Sequence, residues 1–373
     1  MKTLYIIGNG FDIAHKLDTS YWDFRVYLAR TYPEFLQEFE HMYNIEQFDP
    51  SSPRVSAGAY KQWEKAVRNE LWSEFENKMG YPNISEMIDI STSVLDDMDL
   101  DSGLVGIEDT MDSYWADQYG YIKELELHVK EWIETVNTNG KTPMRKSLIG
   151  STDYFLTFNY TDLLENIYKI KNVLHIHGGV ASVTNTAPIM GHCNHKDIED
   201  HQRLANEADE EFDEGNASIH RAVANYLEFT YKDTASIIRQ HHECWKELHN
   251  VDKVVIFGWS AGVADLPYLC VIRDFVSKNT KWYAYYHDDT AYNSLNNAMS
   301  NEDIDEKYEV NYIPAVEFWD QIYRKWGCHI DSPFCLIFAR NKRFSHAYAD
   351  SACPAMAVGS AAKTGLAASC DHS

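Results

Sequence analysis

Short apolar runs alternate with helix-like patterns along most of the chain. Compact runs of apolar, β-branched or aromatic residues predict buried strands. They lie at 4–7, 154–158, 173–177, 253–257 and 282–286, with shorter candidates at 189–191 and 308–312. Helices are predicted at 21–32, 59–79, 113–136, 162–170, 291–299 and 316–326, and from about Leu266 onward. This alternation favours an α/β fold with a doubly wound, mostly parallel sheet and inserted helical regions.

The same pattern divides the chain into regions. Residues 1–326 are predicted to form one α/β domain, with helical insertions at about 59–140 and 200–250. The acidic stretch 96–112 is predicted to be a loop. Residues 200–250 are polar and helical in pattern, which indicates a helical hairpin or cap. From residue 331 the composition shifts toward small residues and shows neither helical nor strand periodicity, so 331–373 are predicted to be a peripheral or disordered tail.

Charge and cysteine content weigh against several kinds of protein, among them nucleic-acid-binding, membrane and disulfide-rich proteins. The net charge is −24, from 57 acidic against 33 basic residues, and such a field repels nucleic acids and anionic membranes. No apolar run is long enough to cross a bilayer. The 7 cysteines are irregularly spaced and form no C-x-x-C pair, so we expect a cytoplasmic protein without a structural metal or disulfide framework.

Three predicted strand ends carry unusual small or polar residues, and the carboxyl ends of parallel strands form the ligand crevice of an open sheet. The first is the segment 8–12, Gly-Asn-Gly-Phe-Asp. Glycines after a buried strand let backbone N–H groups approach a phosphate, although a tight strand-to-helix turn explains them equally well. Asp12 could bind a ribose hydroxyl or cap the following segment.

The second strand end combines Asn159 with two histidines. Asn159 offers a donor and an acceptor suited to a ribose or a water. His175 and His177 should share one face of their strand, and a histidine there can act as a base near neutral pH. The alternative is that Asn159 caps a helix starting at Thr161 and that both histidines are satisfied core residues.

The third strand end is the segment 258–265, where small residues again permit close approach of a ligand. Residues 258–262 also match the G-x-S-x-G nucleophile elbow of serine hydrolases. In that alternative Ser260 is the nucleophile, and Asp288 and His329 are the candidate acid and base.

These motifs together resemble a known family. The stretch 4–15, continued by Thr19-Ser20-Tyr21 and Phe24, the segment 158–161, the His-x-His-Gly at 175–178 and the segment 258–268 resemble the AbiH family of phage abortive-infection proteins. The resemblance covers about residues 1–326. AbiH proteins are distantly similar to sirtuin-like NAD-binding domains.

The resemblance implies roles for individual residues. Gly8 and Gly10 would cradle phosphate, Asn159 would contact the nicotinamide-side ribose, His177 would be the base, and Ser260 would line the pocket. Thr161 stands where sirtuin-like enzymes have an aspartate, and no zinc ribbon is present. These departures weigh against protein deacetylation more than against NAD cleavage.

The resulting prediction is a phage-defence protein that binds and hydrolyses NAD as a glycohydrolase, with Asn159 and His177 as catalytic residues. The predicted nucleotide contacts are Gly8, Asn9, Gly10, Phe11, Asp12, Asp162, Gly178, Gly258, Ser260 and Asp265. Two alternatives stay open, namely a non-catalytic nucleotide sensor with a protein partner and a serine hydrolase. A phage or host protein trigger and self-association are further expectations.

Overall fold

A computed structural model describes residues 1–48, 56–97 and 106–320. One sheet of six parallel strands organises them, in the order β3-β2-β1-β4-β5-β6. Dinucleotide-binding folds have the same strand order. The order reverses between β1 and β4, and in such folds ligands bind at this switch point. The doubly wound α/β prediction is therefore confirmed. The strands are β1 Thr3–Ile7, β2 Tyr154–Thr157, β3 Val173–His175, β4 Lys253–Phe257, β5 Lys281–Tyr286 and β6 Val310–Pro314.

Helices make up most of the remaining described chain. Ser20 begins the second helix with a capping box, since its hydroxyl accepts from the Asp23 N–H and its own N–H reaches the Asp23 carboxylate. The helices are α1 Gly10–Ala14, α2 Tyr21–Thr31, α3 Pro33–His41, α4 Ala57–Val67, α5 Phe75–Lys78, α6 Ile84–Asp97, α7 Ile107–Tyr119, α8 Leu125–Glu134, α9 Leu163–Asn166, α10 His195–Glu210, α11 Glu214–Phe229, α12 Thr234–Gln240, α13 His242–Glu247, α14 Leu266–Phe275, α15 Asp289–Asn301 and α16 Ile304–Lys307.

Three apolar cores hold these elements together. Side chains alternate along β1, so Leu4 and Ile6 face one core while Tyr5 and Ile7 face another on the opposite side of the sheet. A third core joins helices between β1 and β2 to α11, around residues such as Phe24. Both faces of the sheet are thus covered, as its continuous apolar strands require.

Several predicted elements differ from the structure near β3. The strand predicted at 173–177 ends at His175, because the chain turns there and the Gly178 N–H bonds to the His175 carbonyl. The helix predicted at 162–170 is the single turn α9. The strand predicted at 189–191 is not formed.

Long predicted helices are also interrupted. The helix predicted at 59–79 passes into a π-helical turn, Arg68–Trp72, before α5. The helix predicted at 113–136 is two helices, α7 and α8, separated by a 3-10 turn at Gly120–Glu124. Because α6 and α7 extend into 96–112, the loop predicted there is partly helical.

The C-terminal end of the predicted domain lies partly outside the described residues, so its boundary stays a prediction. The stretch predicted as the helix 316–326 begins as a 3-10 turn, Ala315–Phe318, and from residue 321 it lies outside the described residues, as does the predicted tail 331–373.

Four helices occupy most of 200–250, as the pattern indicated. In the described ranges, no helix combines the length and apolar composition needed to cross a membrane.

Candidate functional site

Four strand ends lie in line at one edge of the sheet. Ile7 pairs with Thr157 on one side and with Phe257 on the other, and Thr157 pairs with His175. The residues that follow these four positions therefore emerge side by side. This register brings together the three segments that the sequence singled out.

The two glycine-containing loops pack directly against each other. A Cβ on Gly8 would lie 2.5 Å from the Trp259 Cα, and one on Gly10 would lie 2.6 Å from the Gly258 Cα. The Gly8 N–H donates to the Phe257 carbonyl at 3.0 Å, Gly10 N–H to the Gly258 carbonyl at 2.7 Å, and Phe11 N–H to the Gly8 carbonyl at 2.9 Å. Close loop packing thus explains these glycines here, and a phosphate contact at these N–H groups stays a prediction.

Asn9 fixes the chain beyond this loop. Its side-chain amide donates to the Thr19 carbonyl at 2.7 Å and accepts from the Thr19 hydroxyl at 2.6 Å. The segment leading into α2 is thereby tied to the end of β1.

Asp12 holds Asn159 at the centre of the edge. The Asp12 carboxylate, 1% exposed, accepts from Asn159 Nδ2 at 2.8 Å and from the Thr161 hydroxyl at 2.7 Å. Burial raises the pKa of Asp12 to about 6, although the two hydrogen bonds oppose this rise. Asn159 does not cap a helix, since the next helix begins at Leu163.

The orientation of Asn159 leaves its side-chain oxygen without a hydrogen-bond donor among the described residues. Asn159 Oδ1 is buried, and no described residue donates a hydrogen bond to it. A buried amide oxygen without a donor is uncommon in folded proteins. It is the acceptor that a ribose hydroxyl or a water could satisfy.

The two histidines have different neighbours. His175 Nδ1 lies 3.0 Å from the Asn159 carbonyl oxygen, and His175 Nε2 lies 2.9 Å from a Glu165 carboxylate oxygen. His177 lies in the turn beyond β3, with Nε2 3.5 Å from Asp265 Oδ1. The expected sharing of one strand face fails because β3 ends at His175.

His177 is neutral in this setting. Burial lowers its pKa to about 3; the nearby Lys232 ammonium lowers it further, and Asp265 opposes the shift. Its Nε2 has no hydrogen-bond partner among the described residues. An uncharged imidazole with a free nitrogen can accept a proton.

Lys232 lies beside this histidine and joins two carboxylates. We call Glu76, His177, Lys232 and Asp265 the buried charge cluster. The Lys232 ammonium, 0% exposed, donates to Glu76 Oε2 at 2.5 Å and to Asp265 Oδ1 at 3.0 Å. Burial alone would lower the Lys232 pKa, but the two carboxylates raise it above its ordinary value.

The pKa values of the two carboxylates in the cluster are shifted in opposite directions. Burial raises the pKa of Glu76 despite the Lys232 ammonium. Burial also acts to raise the pKa of Asp265, but the Lys232 ammonium outweighs it, so this pKa is lowered. Asp265 Oδ2 accepts from the Trp259 indole N–H at 3.3 Å as well. Asp265 is thus the ionised partner next to His177.

Sequence patterns missed two members of this cluster. No sequence motif singled out Glu76 or Lys232 as a site residue. The burial of Lys232 follows from a short main-chain bridge, in which the Lys232 N–H donates to the His192 carbonyl at 2.8 Å. Such a pairing between distant segments has no local pattern.

The remaining predicted contacts have structural partners. Asp162 accepts from the Thr138 hydroxyl at 2.5 Å. Gly178 has a φ of 69°, and a Cβ there would lie 2.1 Å from the Ala187 carbonyl oxygen. Glycine is required at this turn whether or not a ligand binds.

Ser260 does not have the geometry of a nucleophile elbow. It is exposed, and the left-handed residues of its loop are Gly258 and Ala261, with φ of 67° and 54°, rather than Ser260 itself. Among the described residues, no histidine forms a hydrogen bond with its hydroxyl. Asp288 caps α15 by accepting from the Ala291 N–H at 2.8 Å, and His329 lies outside the described residues.

The crevice is closed by its own side chains. Asn159, His177 and Asp265 are 7%, 2% and 8% exposed. The Phe158 ring stacks on Trp259 with centroids 5.3 Å apart and meets His177 edge-on at 5.1 Å. Within the described ranges, no group of three or more His, Cys, Asp or Glu side chains is arranged to hold a metal ion. Access of a ligand to Asn159 would therefore require side chains at this edge to move.

Residues 4–286, from β1 to the end of β5, match the family model described as "Bacteriophage abortive infection AbiH". The chain belongs to this AbiH family. The match includes every member of the buried charge cluster and the Asp12–Asn159 pair, and it supports a role in abortive infection. No curated protein and no solved structure matches the chain.

Proposed function

We propose that this AbiH protein binds a nucleotide at the carboxyl edge of β1–β4 and hydrolyses NAD there during abortive infection. One observation carries the proposal: beside the β1–β4 switch point of a dinucleotide-type sheet, Asn159 Oδ1 and His177 Nε2 follow the neighbouring strands β2 and β3, and neither atom is hydrogen-bonded to a described residue. Their chemistry suits a ribose and a water.

The reaction needs little from the protein beyond positioning. The bond between nicotinamide and the ribose carbon breaks, and neutral nicotinamide leaves with the electron pair. Asn159 accepts a hydrogen bond from a ribose hydroxyl or from the attacking water. The water oxygen bonds to the oxocarbenium-like carbon and its proton passes to His177.

The charge next to His177 supports this proton transfer. Asp265 is ionised beside Nε2 and stabilises the imidazolium that forms. A weakly basic histidine is sufficient, because water becomes strongly acidic as it bonds to a cationic carbon. Lys232 keeps Asp265 ionised and in place.

Release of nicotinamide from NAD by the purified protein tests this function. We expect the Asn159→Ala and His177→Ala variants to lose turnover, whereas His242→Ala, at an exposed position on α13, should retain it. Turnover should rise when infected-cell extract is added, because the closed crevice must open. Unchanged turnover in the Asn159→Ala, His177→Ala double variant would remove these residues from the site.

A binding-only role is the second candidate. The filled crevice and the low pKa of His177 favour a sensor that opens for a nucleotide without cleaving it. Calorimetry that detects NAD binding by the wild-type protein, with loss in Asn159→Ala and no nicotinamide release, would select this candidate.

A further inference from the structure

The helical hairpin of α10 and α11 ends in an exposed aromatic residue. Each helix has 16 residues, and residues 211–213 connect them. We call residues 209–214, Asp-Glu-Glu-Phe-Asp-Glu, the acidic tip. All six are exposed, and Phe212 at 92% is the most exposed large hydrophobic residue in the described part of the chain.

Phe212 occupies a backbone position that favours glycine. Its φ is 60°, and the turn closes when the Asp213 N–H donates to the Ala208 carbonyl at 2.9 Å. This is the residue after a helix end, where glycine is preferred because a side chain there is strained. In the described ranges, the other non-glycine residues with a positive φ are polar or small: Lys16, Asn44, Lys169, Ala261 and Asp303.

The stability of the fold does not explain a phenylalanine here. Its ring buries almost no surface, and its backbone is strained. An isolated exposed apolar residue needs no explanation by itself. A fully exposed aromatic residue in a left-handed conformation is different, because two separate costs occur at one position without a compensating contact.

The charge around Phe212 specifies what it could contact. Asp209 pairs with Arg221 at 3.0 Å, and Asp213 caps α11. Glu210, Glu211 and Glu214 form no ion pair with another described residue. Negative charge repels phosphate backbones and anionic lipids, and a chain of net charge −24 repels a second copy. A protein surface with basic residues around an apolar socket is the complementary partner.

We propose that the acidic tip is a protein-docking site, in which Phe212 inserts into an apolar socket of a partner and the surrounding carboxylates face basic residues of that partner. Aromatic anchors of this kind contribute most of the binding energy at protein interfaces, while the charged rim raises the association rate. The site lies in the predicted 200–250 helical region and does not depend on nucleotide hydrolysis.

Replacing Phe212 with glycine separates stability from docking. The Phe212→Gly variant removes the ring and relieves the strained backbone, so its Tm should rise by about 2 °C. In cells where the wild-type chain lowers phage plating, this variant should restore plating to the level of cells without the chain. Phe212→Trp should keep protection, and so should Phe229→Ala, the matched control at a half-exposed phenylalanine on α11.

Site-specific crosslinking then tests the chemistry of the partner. A photoreactive phenylalanine analogue at position 212, in infected cells, should give a discrete protein adduct that the same analogue at position 229 does not give. The Glu210→Lys, Glu211→Lys double variant should abolish the adduct, and the crosslinked segment should be flanked by Lys or Arg. Full protection by Phe212→Gly, identical adducts at both positions, or an adduct with a second copy of this chain would overturn the proposal.

Discussion

Lys232 is the residue on which the buried charge cluster depends. Its ammonium lies between Glu76 and Asp265, with no exposed surface of its own. Replacing it with methionine keeps the volume but leaves two buried carboxylates without a cation. We expect Lys232→Met to lower the free energy of unfolding by about 3–5 kcal/mol, measured by urea denaturation.

An exposed lysine serves as the control. Lys246 on α13 pairs with Glu243 at the surface, where ion pairs contribute little. Lys246→Met should therefore unfold close to the wild-type midpoint. If the two methionine variants had equal midpoints, the cluster would not have the buried, tightly paired character described above.

Asp12 gives the protein a defined pH dependence. Its folded-state pKa of about 6 lies above its unfolded value, so the folded state binds a proton more tightly. The stability from this group is complete below about pH 4 and is lost as pH rises through 6. The difference in unfolding free energy between wild type and Asp12→Asn should fall by about 3 kcal/mol over this window. A difference that is constant from pH 4 to 7 would contradict the raised pKa.

At the residue scale, the sequence indicates some members of the site and not others. Asn159 and His177 are recognisable because Asn159 follows an apolar run that predicts a strand and His177 ends another. Lys232 and Glu76 are not, because their burial depends on how separate helical segments fold against the sheet edge. The hydrogen bond between Asn159 and Asp12 was not predictable either, since the two residues lie 147 positions apart along the chain.

Among the elements, the loops after β1 and β4 are the most constrained. Gly258 has a φ of 67°, and a Cβ there would lie 2.5 Å from the Phe11 nitrogen. Gly258→Ala should destabilise the protein by about 2–5 kcal/mol, from the left-handed backbone and the steric overlap together.

Gly262 provides a matched control four residues later. It has a φ of −59°, and a Cβ there would meet no atom within 4 Å. Gly262→Ala should leave stability unchanged or raise it by a few tenths of a kcal/mol. Thermal denaturation of the two variants compares them directly, and a Gly258→Ala protein as stable as Gly262→Ala would show that the loops do not pack in this way.

Strand positions were predictable and helix ends were not, for a physical reason. Parallel strands covered on both faces must be apolar throughout, so β1, β2, β4 and β5 are visible as runs. Helix breaks such as the π turn at Arg68–Trp72 and the single turn of α9 depend on tertiary contacts instead. The strand predicted at 173–177 was placed correctly, but its end was set two residues too late because the apolar run continues into a buried turn.

For the whole molecule, the strand order explains why distant segments meet. The order β3-β2-β1-β4 places four strand ends together, so segments from residue 8 to residue 265 share one edge. Their side chains close the crevice, whereas a cavity of about 430 Å³ lies beyond β5 and β6, where Arg145, Tyr285 and Phe318 line it. The proposed ligand binding at the shared edge would therefore require a conformational change.

A crystal structure of the protein soaked with a non-hydrolysable NAD analogue is the most direct test. The analogue should lie at the carboxyl edge of β1–β4, with a ribose or its water against Asn159 Oδ1, His177 Nε2 facing the glycosidic carbon, and the Phe158 and Trp259 rings displaced. An analogue bound only in the cavity beyond β5 and β6, or an unchanged closed edge at saturating analogue, would contradict nucleotide binding at this site.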